Sequence, residues 1–428
     1  MSWCTRYPHD SRSVTPSTPL LGILGSRVGQ DLPMRFSDQA RRDRLARRHA
    51  LHPVHRLDDV TDVARAMVAL HATEPSTVHL AIAARLNEPT VDRVESALYE
   101  QRGLVKQLAM RRTLFAFARE LLPAVWGSAS ARVALQQQLQ LGRDLERHGL
   151  TDDGPGWVER GRAAVLDRLA GGHALSAARL RAELPAIDGR TVVVEGATRW
   201  QLTNVPFAPR LLTVLGAEHS IVRGRNEGHW RTSRPAWTLM DDWLGEQLSP
   251  LSSEEGYAHL VRQWLWTFGP GTEADLVWWL GSTKAAVRAA LRDVQAVPVT
   301  LDSEDTGFVL PGDDTPDEPV EDWVALLPVL DPTLMGWKAR DFYLDPALVP
   351  LLFDSNGNGG TTAWVNGRVV GCWVQDADGR VLVIESVPQP ARHRAMLQAE
   401  AERLTAFLDG VVISNVYRSQ LMKGEPLP

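Results

Sequence analysis

The feature that most constrains the fold is a repeated order of amphipathic helices followed by two short apolar strands. In the first copy, Ser37 can cap a basic helix, and further helical patterns run from residue 59 to residue 100. Two extended runs, LVKQLAM and TLFAF, follow Gly103. The same layout recurs from residue 151 and from residue 249 without obvious sequence repetition. Helices followed by a hairpin are typical of a winged helix-turn-helix, so the pattern predicts tandem winged helices.

From about Val297 onward the sequence has the pattern of β-strands. Asn366-Gly367 separates two alternating apolar runs, which is a strong signal for a type I′ hairpin, and Asp378-Gly379 marks the next turn. We therefore predict a small antiparallel sheet or barrel at this end of the chain, closed by a helix near residues 392–408.

The length of 428 residues is too great for one ordinary core and predicts several modules. The predicted fold class is α+β, with three tandem winged-helix domains followed by a C-terminal antiparallel β-barrel. The predicted segments are a disordered tail at 1–36, winged-helix domains at 37–150 and 151–248, the helical part of a third at 249–296, and a wing, linker and barrel at 297–428.

The distribution of charge is more informative than the formal net charge of -6. Residues 1–150 contain 21 Lys and Arg against 15 Asp and Glu, whereas residues 302–322 are dense in acid. We expect a DNA-facing surface in the N-terminal half, with the acidic stretch turned away from it or acting as a linker. Two distant cysteines, Cys4 and Cys372, favour a reducing cytoplasm over a disulfide framework.

Several common chemistries have no motif in this sequence. There is no phosphate-binding G-x-x-x-x-G-K-[ST] loop, no G-x-G-x-x-G after a strand, no G-x-S-x-G elbow and no H-E-x-x-H. His71 and His79, with Glu74 between them, are separated by a proline and do not stack on one helix face. We therefore expect no metal, no organic cofactor and, because no apolar run is long enough, no membrane span.

Five segments of the chain carry a resemblance to a known family. The runs ALHATEPSTVHLAIAARL, LVKQLAMRRTLFAF, WTFGPGTEADLVWWLG, LPVLDPTLMGWKARDFYL and NGRVVGCW resemble the AlkZ-like family of bacterial winged-helix DNA glycosylases. The resemblance implies three winged helices around a concave DNA channel and hydrolysis of the N-glycosidic bond of N7-alkylated purines. The family's catalytic signature is a glutamine, an apolar residue, then glutamine or aspartate. His71, Ala72 and Thr73 occupy those positions here.

His71 and Thr73 are the predicted catalytic residues. N7 alkylation places a positive charge on the purine, so the base leaves without an acid and needs only an activated water. A neutral His71 can accept the proton of that water, and the hydroxyl of Thr73 can orient it. The alternatives are structural: a histidine at a helix end can bond the last carbonyls, and Thr-Glu-Pro can open the next helix.

Seven residues are predicted to contact DNA. Arg111 and Arg112 lie at a strand junction suited to phosphate contacts, or equally to surface ion pairs. The glycine-rich loop at 356–360 can enter a minor groove or form only a hairpin turn, while the Trp278-Trp279 pair and Trp337 fit a core. The full predicted set is Arg111, Arg112, Lys106, Arg47, Arg48, Asn356 and Asn358.

Together these observations predict a monofunctional DNA glycosylase that excises bulky N7-alkylguanine adducts from double-stranded DNA, in repair or in self-resistance to a genotoxic natural product. We expect a monomer that works in the cytoplasm with the nucleoid. The alternative is a non-catalytic winged-helix protein, either a regulator or an adduct sensor, which would bind DNA without forming abasic sites. A scaffold for protein contacts is a third possibility.

Overall fold

The computed structural model describes residues 34–190 and 206–424, which contain both helices and small sheets. The helices are α1 (Asp38–Arg48), α2 (Val60–Met67), α3 (Pro75–Ala83), α4 (Val91–Glu95), α5 (Leu122–Val125), α6 (Ala131–Arg147), α7 (Gly154–Leu169), α8 (Ala177–Glu183), α9 (Ala208–Ala217), α10 (Met240–Leu244), α11 (Ser253–Phe268), α12 (Glu273–Leu280), α13 (Lys284–Asp293), α14 (Val349–Leu352) and α15 (Ala391–Leu408). None of the helices in these ranges is long and apolar enough to cross a bilayer.

The strands are short, from two to eight residues. They are β1 (Arg35–Phe36), β2 (Leu70–His71), β3 (Leu104–Ala109), β4 (Thr113–Ala118), β5 (Leu175–Ser176), β6 (Ile221–Asn226), β7 (Pro235–Leu239), β8 (Gly271–Thr272), β9 (Val297–Leu301), β10 (Thr306–Val309), β11 (Val324–Leu327), β12 (Thr362–Val365), β13 (Arg368–Gln375) and β14 (Val381–Glu385). The mixed α+β class predicted from the sequence is confirmed.

Three of the sheets share one design. Each contains a two-residue strand paired with the second strand of an antiparallel hairpin, in the orders β2-β4-β3, β5-β7-β6 and β8-β10-β9. This is the arrangement expected when helices precede a wing that folds back on a short strand. The domain boundaries at residues 150, 248 and 296 stay predictions.

Local capping signals set several helix starts. The side chain of Ser37 accepts a hydrogen bond from Ala40 N at the start of α1. The helices α11 and α12 both open with a reciprocal capping box, made by Ser252 with Glu255 and by Thr272 with Asp275. The start of α1 at Ser37 is the one that the sequence analysis predicts, and it is confirmed.

The first described residues already form a strand, and the predicted disordered tail falls mainly on residues outside those described. Residues 1–33 lie outside the described residues, but Arg35 and Phe36 form β1, which pairs in parallel with β9. Phe36 is fully buried beside Val299 and Leu301. The apolar side chain of Phe36 therefore makes this segment the outer strand of the third sheet.

The acidic stretch at residues 302–322, here named the acidic strap, packs against the basic helix α1. The Arg44 guanidinium lies 3.1 Å from an Asp313 oxygen, and Arg48 lies 2.6 Å from the same carboxylate. Asp317 adds a second carboxylate 3.5 Å from Arg44. The strap is therefore not a free linker, because its carboxylates pair with Arg44 and Arg48 of the basic helix.

The C-terminal sheet is open, and the predicted β-barrel is wrong. Its strands run antiparallel in the order β11-β12-β13-β14, and the outer strands β11 and β14 are not paired with each other. Instead of closing on itself, the sheet buries one face against α15, through residues such as Leu397 and Leu404. The predicted type I′ hairpin is confirmed, since Asn366 and Gly367 both have positive φ, 48° and 76°.

A buried ion pair joins the N-terminal helices to the C-terminal half. Arg85, just after α3, donates to both oxygens of Asp331, at 2.9 and 2.7 Å, and both side chains are fully buried. Arg85 also donates to the Thr333 hydroxyl and to the Ala81 carbonyl. This network fixes α3 and the turn before it against the segment that follows β11.

Candidate active site and DNA-facing surface

The predicted catalytic positions lie in the turn between β2 and α3. His71 ends β2, where it pairs with Phe115 of β4, and the Ala72 amide donates to the Leu114 carbonyl at 2.9 Å. Pro75 begins α3 in the position that suits its fixed φ and missing N–H. Thr73, between the sheet and the helix, is exposed. The turn therefore presents the Thr73 hydroxyl to solvent.

His71 lies on the inner side of this turn. Its side chain is buried, its ring centroid lies 4.6 Å from that of Phe115, and its Nδ1 has no hydrogen-bond partner among the described residues. Burial, and then the Arg111 guanidinium, lower the pKa of His71 to about 3. An enclosed imidazole with so low a pKa is a weak proton acceptor, so the geometry opposes the predicted role of His71 as general base.

The depressed pKa of His71 predicts acid-sensitive stability. Between pH 7 and pH 5 the unfolded imidazole takes up a proton that the folded one refuses, so His71 should remove about 2 kcal/mol of unfolding free energy over this interval. The His71→Gln variant lacks this loss, and the difference between its denaturation curves and those of the wild type should grow accordingly as the pH falls. The same change at exposed His173 should leave the pH dependence of the wild type intact. Parallel pH curves for His71→Gln and wild type would contradict the assignment.

Glu74, the next residue after Thr73, was not among the predicted site residues. Its side chain is 5% exposed, and the Val416 amide donates to its Oε2 at 3.3 Å. Burial raises the pKa of the Glu74 carboxyl, and the Val416 N–H opposes that shift. The sequence Thr-Glu-Pro reads as a helix opening, yet the Glu74 side chain makes no cap hydrogen bond. The Glu74 carboxylate contacts Val416, which is distant in sequence, so the residues around Glu74 do not show that it is buried.

The C-terminal half brings a tyrosine and the predicted asparagine loop to this turn. The carboxylates of Glu74 and Asp354 both act on Tyr417, whose pKa is raised first by burial and then by these two charges. Asp354 also shapes the loop, because its oxygens accept from the amides of Asn356 and Asn358 and from the Asn358 side chain, each at 2.9 Å. Asn358 is therefore used to hold the loop, whereas the Asn356 side chain is exposed.

Two arginines share one tryptophan. The guanidinium carbon of Arg111 lies 4.1 Å from the Trp278 ring centroid, and that of Arg340 lies 5.2 Å from the same ring. Arg340 also lies over Phe353, which precedes Asp354, while Arg111 acts on His71. We name Arg111, Trp278 and Arg340 the arginine clamp.

The arginine clamp carries positive charge without a protein counter-charge. Neither guanidinium forms an ion pair within the described ranges, and the Nε atoms of Arg111 and Arg340 are both enclosed without a hydrogen-bond partner. Burial, and then Arg340, lower the pKa of Arg111 to about 10. Like charges held together in this way favour an anion with several oxygens, such as a phosphate. The sequence pointed to Arg111 but assigned Trp278 to the core and did not include Arg340.

The other residues predicted to contact DNA differ in their burial and in their partners within the protein. Arg112 is exposed, next to the clamp in sequence. Lys106 is half-buried, and its Nζ donates to the Tyr99 hydroxyl at 2.7 Å, while burial lowers its pKa to about 8. Arg47 donates to the Glu318 carbonyl of the acidic strap, and Arg48 bonds Asp313 there. The structure thus uses Lys106, Arg47 and Arg48 in contacts within the protein, places Arg111 near His71, and leaves Arg112 and Asn356 exposed.

Comparison with known proteins decides the family. The sequence model of the family described as DNA glycosylase AlkZ-like matches residues 64–407, most of the chain. The chain belongs to the AlkZ-like DNA glycosylases. The predicted enzyme class, a monofunctional DNA glycosylase, is thereby confirmed. The chain is also similar in structure to the Streptomyces sahachiroi DNA glycosylase AlkZ, at a TM-score of 0.64 and 19% identity, over 87% of this chain and 98% of that one.

No curated protein matched the sequence. The structural similarity to the Streptomyces enzyme shows a shared fold. Within residues 34–190 and 206–424 of this AlkZ-like glycosylase, no three His, Cys, Asp or Glu side chains are grouped to hold a metal ion.

Proposed function

We propose that this DNA glycosylase excises bulky N7-alkylguanine from double-stranded DNA. The observation that carries the proposal is the exposed Thr73 at the turn between β2 and α3, with the Arg111 guanidinium near enough to lower the pKa of the neighbouring His71. An exposed turn beside a cationic group can meet a damaged base that stays in the duplex, as a bulky intercalating adduct would.

The electrostatics of the turn support a substrate that is already cationic. An N7-alkylated guanine leaves as a neutral base, so it needs no protonated side chain to help it depart. His71, the histidine at the turn, is buried with a pKa of about 3 and supplies no proton at neutral pH. The site fits a reaction that requires water activation and no acid.

We assign the DNA contacts to the surface around the turn between β2 and α3. The arginine clamp and the exposed Arg112 bind backbone phosphates, which position the duplex without reading its sequence. The exposed Asn356 enters the groove beside the damaged base, and the Thr73 hydroxyl orients the attacking water. The enzyme acts as a monomer on nucleoid DNA in the cytoplasm, either in repair or in self-resistance.

A base-release experiment tests this proposal. Enzyme in excess is mixed with a duplex that carries one N7-guanine adduct of an intercalating epoxide, and free base is measured alongside the abasic strand. We expect release of the adducted guanine and none from the matched undamaged duplex. Release of N7-methylguanine without release of the bulky adduct would contradict the proposed substrate. Tight binding to the adduct without any abasic product would favour an adduct sensor instead.

A further inference from the structure

Glu74 is a buried carboxylate with too few partners for a structural role. Its side chain is 5% exposed, its hydrogen bond from Val416 N is long at 3.3 Å, and no cation forms an ion pair with it within the described ranges. Buried glutamates are almost always paired, because an isolated charge removed from water is costly. The cost suggests selection for something other than stability at this position.

Other buried carboxylates of the chain show what a structural acid looks like here. Asp331 is bonded by both nitrogens of Arg85. Glu400 is bonded by Arg56 and Arg403. Asp275 accepts four hydrogen bonds, from the Thr272 amide and hydroxyl and from the amides of residues 338 and 339. Each of these three acids is fully bonded, whereas Glu74 accepts one hydrogen bond; Asp43, the remaining buried carboxylate of the described residues, also accepts only one from a side chain, that of Gln39.

The second carboxylate oxygen of Glu74 is open. Oε1 has no hydrogen-bond partner among the described residues, yet it is absent from the enclosed atoms that lack one, so it retains contact with solvent. The exposed Thr73 precedes it directly, and Tyr417 faces it from the C-terminal segment. The exposed Thr73 and the open carboxylate oxygen of Glu74 therefore belong to consecutive residues of one turn.

We propose that Glu74 is the general base of this glycosylase, accepting a proton from the attacking water through Oε1. This inference rests on the proposed function for its cationic, N7-alkylated substrate. The bond from C1′ to N9 breaks, and its electron pair passes to N9 and cancels the positive charge of the purine. The water oxygen bonds to C1′, and its proton passes to Glu74. The products are a neutral N7-alkylguanine and an abasic sugar, and Glu74 then returns the proton to solvent.

The surroundings of Glu74 favour this role. Burial raises the pKa of its carboxyl, the Val416 N–H opposes the shift, and no cation is among its causes. The titratable groups that face it from the C-terminal half are the Tyr417 phenol and, beyond that phenol, Asp354. A carboxylate with a raised pKa is a stronger base, and it acts once the pH exceeds that pKa.

The Glu74→Gln variant tests the proposal, because glutamine keeps an oxygen to accept from Val416 but cannot take a proton. The single-turnover rate of base release from a duplex with one N7-methylguanine should fall by roughly 10²- to 10⁴-fold. The wild-type rate should rise with pH through the raised pKa of Glu74 to a plateau, and this rise should be missing from the variant. Affinity for the duplex should stay within twofold.

The unfolding free energy separates a catalytic role from a structural one. Removing a charge that burial penalises should leave Glu74→Gln as stable as the wild type at pH 8, or more so, while its activity is lost. Glu74→Asp, which keeps a carboxylate, should recover part of the rate. The control Glu88→Gln changes an exposed glutamate and should match the wild type.

Each outcome separates the two proposals. Release by the wild type at a rate that Glu74→Gln matches within threefold, with the same pH profile, would overturn the role of Glu74 and leave the proposed function standing. No release by the wild type from either the N7-methylguanine or the bulky duplex would overturn the proposed function. If Glu74→Gln fails to fold, the wild-type profile decides, because a rate that does not fall with acidification anywhere in the pH range where the enzyme stays folded would exclude a carboxylate base of raised pKa.

Discussion

Asp331→Asn is expected to lower the free energy of unfolding by about 3–5 kcal/mol. The asparagine leaves Arg85 fully buried with no counter-charge, after the loss of a two-point contact at 2.7 and 2.9 Å. Two buried hydrogen bonds of Arg85, to Thr333 and Ala81, remain but cannot balance its charge. Urea denaturation of wild type and variant at pH 7.5 measures the loss.

The matched control for this prediction is an exposed ion pair. Glu120→Gln removes a carboxylate bonded to Arg65, in a pair whose side chains are both more than half exposed. Its effect should stay below about 1 kcal/mol. Replacing both buried partners, in Arg85→Met with Asp331→Leu, should recover much of the loss because no charge is left unpaired. Equal, small effects of Asp331→Asn and Glu120→Gln would show that the buried pair is not a stabilising contact.

The double variant Arg111→Ala with Arg340→Ala is expected to weaken DNA binding by roughly 10²- to 10⁴-fold at low salt, at about 1.5–3 kcal/mol for each charge-assisted contact. The two guanidiniums lie over the Trp278 ring with no carboxylate partner among the described residues, so in the free protein their charge awaits a phosphate. DNA binding releases about one counterion fewer for each phosphate contact that is lost. The slope of log affinity against log salt should therefore become shallower by about two.

Fluorescence anisotropy with an undamaged duplex over a series of salt concentrations measures both quantities. Arg179→Ala is the matched control, because Arg179 is an exposed arginine already paired with Glu183. It should leave the affinity and the salt slope unchanged. An unchanged salt slope in the double variant would show that the clamp does not meet the DNA backbone.

The elements that the sequence predicted well are those set by neighbouring residues. The start of α11 depends on Ser252 and Glu255, three positions apart, and the hairpin at Asn366-Gly367 depends on two adjacent residues that tolerate positive φ. Such signals act within a few residues, so a sequence pattern is enough to find them.

Contacts between distant segments were beyond the reach of the same patterns. The acidic strap was correctly seen as acidic, but nothing in its own residues shows that Arg44 and Arg48 are its partners. The predicted barrel failed for a similar reason, since the strand pattern does not reveal that α15 covers the sheet. Charge and hydropathy patterns show that a segment is acidic or apolar on one face, but they do not show which distant segment packs against it.

The candidate site shows the same division. The family signature predicted the site at the turn after β2, and the burial of the side chains there could not be predicted from the sequence. His71 is enclosed against Phe115, and Glu74, one residue beyond the signature, has the open carboxylate oxygen. Arg340 joins Arg111 only because the segment after the Asp331 network returns to the first hairpin. None of these facts is encoded in spacing.

The pairing of β1 with β9 has a consequence for folding during synthesis on the ribosome. Arg35 bonds Asp302 across 267 residues of chain, and Phe36 is buried only when β9 is present. At about 5–20 residues per second, a ribosome needs roughly 15–50 s to reach the second strand after making the first. Throughout that time the emerging segment carries an uncovered aromatic ring and a row of unpaired arginines. The packing of β1 and α1 is therefore complete only after residue 301 of 428 has been made, and until then the apolar side chain of Phe36 is available to a chaperone.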